Sequence, residues 1–240
     1  MAVAAGWHPT VTRLYVQRSF PDPWSDLAVH WNGGSVPADS ADLCEVCVMM
    51  FVSLLEALEP PAPDGGIEPV GSPSGAGVLA WSPLPLPVQS RWLGVLKGML
   101  RHLPTPPDRI LVGRVGAVDW DEWVPPASEA PLDAFGITDQ READARSVEI
   151  ELPHVLDPDA QATLDDAIDV WLSVGALGGF AADDDPVPSQ LLPNGGLQVN
   201  GDLCWLALAT AQVDDLAFEA LARMVHRLGG PFAEAGLRIE

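Results

Sequence analysis

Apolar positions along the chain recur in two rhythms, and the switches between them mark out its elements. Val11, Arg13, Tyr15 and Gln17 alternate with Thr12, Leu14, Val16 and Arg18, which predicts a strand over Val11 to Phe20 with Leu14 and Val16 inward and Pro21 and Pro23 as its stop. The stretch through Trp24, Trp31 and Gly33-Gly34 reads as a loop holding a short strand at Leu27 to Trp31. From Asp39 or Ser40, Leu43, Val46, Cys47, Met50, Phe51, Leu54, Leu55 and Leu58 follow at spacings of three and four, predicting a capped, buried helix that ends before Pro60-Pro61. An edge segment at Gly66 to Val70, a strand at Val78 to Trp81, a helix over Val88 to Leu103 and a strand over Arg109 to Val118 complete a first half.

The acidic, Pro-bearing segment 119–146 reads as a linker, with helical character only around Asp139 to Ala145. Beyond it, Ser147 to Leu152 alternates as a strand, and Asp157-Pro158 opens a helix through Ala162, Leu164, Ile168, Trp171, Leu172 and Val174 that Gly178-Gly179 terminates. Gly179 to Pro193 reads as a long acidic loop, Asn194-Gly195-Gly196 as a turn, and Leu197 to Val199 with Leu203 to Ala211 as a hairpin across Asn200-Gly201. Asp214 opens a last helix with Leu216, Phe218, Leu221, Met224, Val225 and Leu228 inward, Gly229-Gly230 stops it, and Leu237 to Ile239 is a final strand. The order βαββαβ is that of a ferredoxin-like split βαβ unit. The first half fits the same order, with Trp81 and Trp205 in corresponding strands, so the expectation is an α+β chain of two ferredoxin-like halves, 1–118 and 147–240, in the pattern of an internal duplication. Its sheets are expected to be antiparallel or mixed, with the helices on one face.

Composition narrows the class. Of 240 residues, 48% are hydrophobic and 19% charged, enough to build a core and unlike a chain that stays disordered. The charge is one-sided: 34 Asp and Glu against 12 Lys and Arg give −22, and Lys97 is the only lysine. Nucleic acid and anionic membrane both require cationic side chains, so neither is an expected partner, whereas a basic protein is the natural complement. Cys44, Cys47 and Cys204 are too few for a secreted disulfide framework. The amino terminus lacks the features of a signal peptide, and Val46 to Leu55 is too short to span a membrane, so a cytoplasmic location is expected.

The motifs that carry chemistry are missing. Neither Gly75-Ala76-Gly77 nor Gly113 to Gly116 completes a nucleotide-binding pattern, and Gly71-Ser72-Pro73-Ser74-Gly75 holds Pro where an esterase elbow needs Ser. Cys44 and Cys47 form a C-x-x-C without a second Cys or His pair to complete a zinc site, and they read as small core residues. His8, His30, His102, His154 and His226 make no metal-ligand spacing; His102 and His226 read as late-helix cations complementing the dipole. Glu149 with Glu151 and Asp165 with Asp169 are close carboxylate pairs of a kind this composition produces by chance. No catalytic residue, metal or cofactor is assigned. The enzyme alternative is a hydrolase or transferase with a site assembled from distant residues, such as His154 with Asp157, and a third reading is an adaptor or structural protein of a secretion or phage system.

Two acidic segments have the make-up of a protein interface. Asp119, Trp120, Asp121, Glu122 and Trp123 join carboxylates to large aromatics, and Asp183, Asp184 and Asp185 sit in the long loop; the tryptophans would anchor a partner and the acids would pair with its Arg or Lys. The alternative is that Trp120 and Trp123 pack back onto the sheet while their acidic neighbours stay solvated. A small, acidic, Trp-rich, Lys-poor α+β chain resembles the bacterial polymorphic-toxin immunity proteins. Through Gly77-Val78-Leu79-Ala80-Trp81 and Asn32-Gly33-Gly34 it resembles, among them, the immunity family numbered fifty-two. That resemblance implies stoichiometric inhibition of a cognate basic toxin, a nuclease effector whose cationic groove carboxylates would occupy, with no turnover.

Overall fold

The computed structural model describes residues 24–58, 72–74, 77–85, 90–114, 121–123, 144–181, 190–211 and 213–239. The chain is α+β and divides into two compact units, Met1–Pro126 and Ala127–Glu240. Among the described residues each unit has two α-helices and one sheet in which every pairing is antiparallel. None of the described helices is long and apolar enough to cross a membrane.

The first unit runs β1 (Trp24–His30), α1 (Ala38–Leu58), β2 (Ser72–Ser74), β3 (Val78–Pro85), α2 (Ser90–Leu100), β4 (Arg109–Arg114) and β5 (Asp121–Trp123), with the strands side by side as β2-β3-β1-β4-β5. Successive strand residues point to opposite faces, and Leu27, Ala28 and Val29 are all 0% exposed, so β1 is covered on both faces. Helices α1 and α2 pack together, and Phe51, Leu55, Trp92 and Leu96 on them are buried. Polar contacts lock the strand ends to the helix ends. The Trp31 indole donates to Thr105 O at 3.0 Å, and Thr105 N–H donates to Oγ of the fully buried Ser40 at 3.0 Å. Gly77 has φ +72° and accepts from Trp31 N–H at 2.7 Å; a Cβ there would collide with the Trp31 carbonyl oxygen and lie 3.1 Å from Ser35 N. A close approach of two backbones, in the left-handed region, is what demands glycine in the Gly77-Val78-Leu79 segment.

The second unit runs β6 (Asp144–Glu151), α3 (Pro158–Ala176), β7 (Gln190–Pro193), β8 (Gln198–Asn200), β9 (Leu203–Ala211), α4 (Asp215–Arg227), a 3-10 turn at Gly230–Phe232 and β10 (Gly236–Ile239). The sheet order is β10-β6-β9-β7, with β8 also paired to β9. Asp157 caps α3 by accepting from Ala160 N–H at 2.8 Å, and Pro158 follows at the first turn, where its missing N–H costs nothing. The helix closes in a Schellman arrangement: Gly178 at φ +83°, Gly179 N–H to Val174 O and Gly178 N–H to Gly175 O. The buried Trp171 indole donates to Ala217 O at 2.7 Å and its ring lies 5.9 Å from that of Phe218, joining α3 to α4.

Several sequence expectations are corrected. The short strand expected at Leu27 to Trp31 is the central strand β1, which starts earlier, at Trp24, and ends at His30; its Leu27–Val29 run is buried on both faces and so lacks the alternation of a half-exposed strand. The strand expected over Val11 to Phe20 and the edge segment at Gly66 to Val70 lie outside the described residues, and the described edge strand is Ser72–Ser74. Residues 121–123, assigned to the linker, pair with β4 as β5, and β6 begins at Asp144. Gln190–Pro193, read as loop, is strand β7; Pro193 is tolerated because it closes a strand on the sheet edge. The β8–β9 turn is Gly201-Asp202, one residue later than expected, since Asn200 pairs with Leu203 and Gly201 takes φ +69°. On α1 the buried stripe includes Ser40, Cys44 and Val48, leaving Leu43 and Val46 exposed. His102 lies in the turn after α2, beyond the last helical residue, and burial and Arg101 lower its pKa.

Candidate functional site

The two sheets differ in a way that singles out one surface. In β6, Val148 and Ile150 are buried while Ser147 and Glu149 are half-buried and Glu151 exposed; in β9, Cys204, Leu206, Leu208 and Thr210 are buried while Leu203, Trp205, Ala207 and Ala209 are not. The register pairs Val148 with Leu206 and Ile150 with Cys204 on the covered face, and Glu149 with Trp205, Glu151 with Leu203 and Ser147 with Ala207 on the other. Helix α3 packs on β7 over the first set, where a Cβ on Gly175 would meet the buried Leu191; the second set is a half-exposed sheet face.

An apolar stripe runs down the middle of that face along β9: Leu203, Trp205, Ala207 and Ala209, about 20 Å at ~3.3 Å per residue. Trp205 is 36% exposed, and Leu192, opposite Ala209 on β7, is 47% exposed. Gln198 and Asn200 of β8 flank the stripe on one side, opposite Trp205 and Leu203. On the other side stand Glu149 and Glu151, and then Arg238 of β10, whose Nη1 lies 3.5 Å from Glu149 Oε2. At this corner an open groove of about 470 Å³ is lined by Glu149, Glu151, Asp202, Leu203, Gly236, Leu237 and Arg238. It sets three carboxylates against one guanidinium, so the groove is net acidic. Being largely solvated, the Arg238–Glu149 pair adds little stability and can open to a competing cation.

An indole half out of solvent beside carboxylates is suited to receiving a cationic side chain, the ring face supplying a cation–π contact and the acids a charge-assisted hydrogen bond. Apolar stripe, acidic margin and amide margin thus lie side by side on one sheet face.

The thiols do not suit nucleophilic chemistry. Cys44, Cys47 and Cys204 are free and buried. Burial pushes the Cys47 thiol up to about 11, raises Cys44 further with help from neighbouring Cys47 and Glu45, and raises Cys204 with help from Asp165. Low-pKa thiolates are the reactive form, so these cysteines act as core packing. Among the described residues no group of three or more His, Cys, Asp and Glu side chains is placed to hold a metal ion. Asp157 is engaged as the α3 cap, while His154 is exposed in the bend before it. Burial followed by Asp169 and Asp166 raises Asp165, which is the electrostatic cost of crowding acids on α3.

Of the residues assigned from sequence to a partner interface, Asp119, Trp120, Asp183, Asp184 and Asp185 lie outside the described residues. Asp121, Glu122 and Trp123 form β5, an edge strand of the first sheet, in register with Val112, Leu111 and Ile110. Sequence reasoning missed the open face: Trp205 was visible between Cys204 and Leu206, and Glu149 and Glu151 in alternation, but nothing local showed that register sets Glu149 beside Trp205. A scan against protein-family models returns no match, and a search of curated proteins finds no significant relative.

Proposed function

We propose that this chain is a stoichiometric protein inhibitor, an immunity protein that binds and neutralises a cognate basic bacterial toxin, with a nuclease effector as the favoured target. One observation carries the reading: an uncovered sheet face with Trp205 beside Glu149 and Glu151, on a chain of net charge −22. Tryptophans at the centre of a contact supply the desolvated anchor, and an anionic margin steers a cationic partner and fixes its register. Asp121, Glu122 and the acids at 183–185 add to the net negative charge that would steer such a partner. Buried free thiols fit a reducing, cytoplasmic setting.

The strand orders support reading each unit as a ferredoxin-like split βαβ unit and the pair as an internal duplication. In both, the first strand lies between the third and the fourth, with the second strand outside the third. The first unit adds β5 beyond the fourth strand, and the second adds β8 alongside the third.

The test is a pull-down of the tagged full chain from its native host, followed by reconstitution with the recovered protein. The expected result is a one-to-one complex with a basic protein whose activity the chain abolishes, whose affinity falls with salt, and whose affinity Trp205→Ala lowers by at least about tenfold, in the range of an interface hot spot. Failure of the wild-type chain to capture or inhibit any basic protein overturns the function. Capture that is indifferent to Trp205→Ala and to Glu149→Lys would keep the inhibitor but move its surface elsewhere.

A further inference from the structure

Helix α1 carries more apolar surface than its core contact uses. Ser40, Cys44, Cys47, Val48, Phe51, Leu54, Leu55 and Leu58 are buried. Leu43 and Val46, at 46% and 47% exposed, and the half-buried Met50 then succeed one another at spacings of three and four along one flank, outside that stripe. A surface helix ordinarily presents a single apolar stripe and a polar remainder. Here the apolar stripe is widened on one flank by a short exposed seam, with the spacing that lets a neighbouring helix seat its side chains between those of α1. The charges beside it have one sign: Asp39, Asp42, Glu45 and Glu56 are all exposed, and α1 contains no Lys, Arg or His.

We infer that the Leu43–Val46–Met50 flank of α1 docks an amphipathic helix from a basic protein, its apolar side on the seam and its Lys or Arg residues beside Asp39, Asp42 and Glu45. Charge complementarity selects this occupant. A second copy of the chain brought up by a two-fold axis would set α1 against α1, where every charged side chain is a carboxylate, and like charges face to face disfavour that pairing. The seam lies in the first unit and the Trp205 face in the second, so this inference stands on observations separate from those behind the proposed function.

The experiment uses the full chain and a labelled 18-residue Leu/Lys peptide with Leu at helical i, i+3, i+4, i+7 spacing, read by fluorescence anisotropy at physiological salt. A peptide of the same composition in scrambled order is the control for bulk electrostatic attraction. Leu43→Ser/Val46→Ser leaves the net charge unchanged and alters only exposed side chains; it is expected to weaken the amphipathic peptide by about tenfold or more, from the apolar area no longer covered, while the scrambled peptide binds both proteins alike. Asp42→Asn/Glu45→Gln, which keeps the apolar seam, should weaken the same peptide and flatten its salt dependence. Equal binding of the amphipathic peptide by wild type and Leu43→Ser/Val46→Ser overturns the inference. So does sedimentation showing that the wild-type chain dimerises and that the same double substitution makes it monomeric.

Discussion

Gly34 and Gly77 offer a controlled comparison, because they share a positive φ and differ in what surrounds them. Their φ values are +77° and +72°. A Cβ on Gly34 would meet nothing within 4 Å, whereas one on Gly77 would run into the Trp31 carbonyl oxygen and press on Ser35 N at 3.1 Å. Gly34→Ala should therefore cost only the torsional penalty of a left-handed L-residue, about 1–2 kcal/mol. Gly77→Ala carries the same penalty plus a steric one that cannot be relieved by rotating a side chain, since the obstacles are backbone atoms. Separating the segments stretches or breaks the Trp31 N–H to Gly77 O bond, 2.7 Å in the native state, worth about 1 kcal/mol net, and strains the entry to β3. The expected total is roughly 3 kcal/mol or more, a large fraction of the ~5–15 kcal/mol that holds a domain folded. Urea unfolding of both variants, followed by circular dichroism and tryptophan fluorescence at the transition of the first unit, gives the two losses on one scale. Gly77→Ala falling within about 0.5 kcal/mol of Gly34→Ala, a gap no larger than additivity errors, would refute the steric account.

Three further predictions concern titrating groups. With all three thiols buried and raised, the native chain at pH 8 should show no fast reaction with a disulfide reagent, and three equivalents should react after denaturation; a rapidly reacting native thiol would place a cysteine at the surface. Cys47 also makes stability fall with alkali: the unfolded thiol loses its proton near 9.0 and the folded one near 11, so the contribution is intact below pH 9 and is lost as pH rises towards 11. Cys47→Ser should lessen that alkaline decline in urea midpoint measured from pH 8 to 11, and an unchanged slope would count against it. Asp165 is held above its ordinary 3.8 by burial and by Asp169 and Asp166, so the folded state takes up its proton first and acidification from neutral pH favours folding through this group. Asp165→Asn should stabilise the chain at pH 7 relative to wild type, with the difference shrinking as pH falls towards 4; a difference independent of pH would exclude the charge effect.

The helices and the β8–β9 hairpin of the second unit were legible in the sequence because their signals are local. Asp157-Pro158 starts α3, Gly178-Gly179 ends it, Asp214 starts α4 and Gly201 sits in the β8–β9 turn, each a matter of caps and φ angles that neighbours a few residues away decide. The misreadings fall where burial, not local preference, is decisive. The strand at Leu27 reaches back to Trp24, its Leu27–Val29 run covered on both faces, which no alternation reveals, and Gln190–Pro193 becomes a strand because β9 offers an edge to pair with. On α1, the 3–4 spacing placed apolar residues on a helix but not the arc that meets the core, and Leu43 and Val46 lie outside it.

Taken alone, the sequence determined that the chain is α+β, that it carries a net charge of −22, and that its recognisable catalytic motifs are absent; these are properties of composition and short-range pattern. Only tertiary structure decided which apolar residues remain outside the core. A side chain at position 205 is exposed because β9 pairs in a register that puts it beside Glu149 on the face the helices leave bare, and register is a relation between segments more than fifty residues apart in the chain.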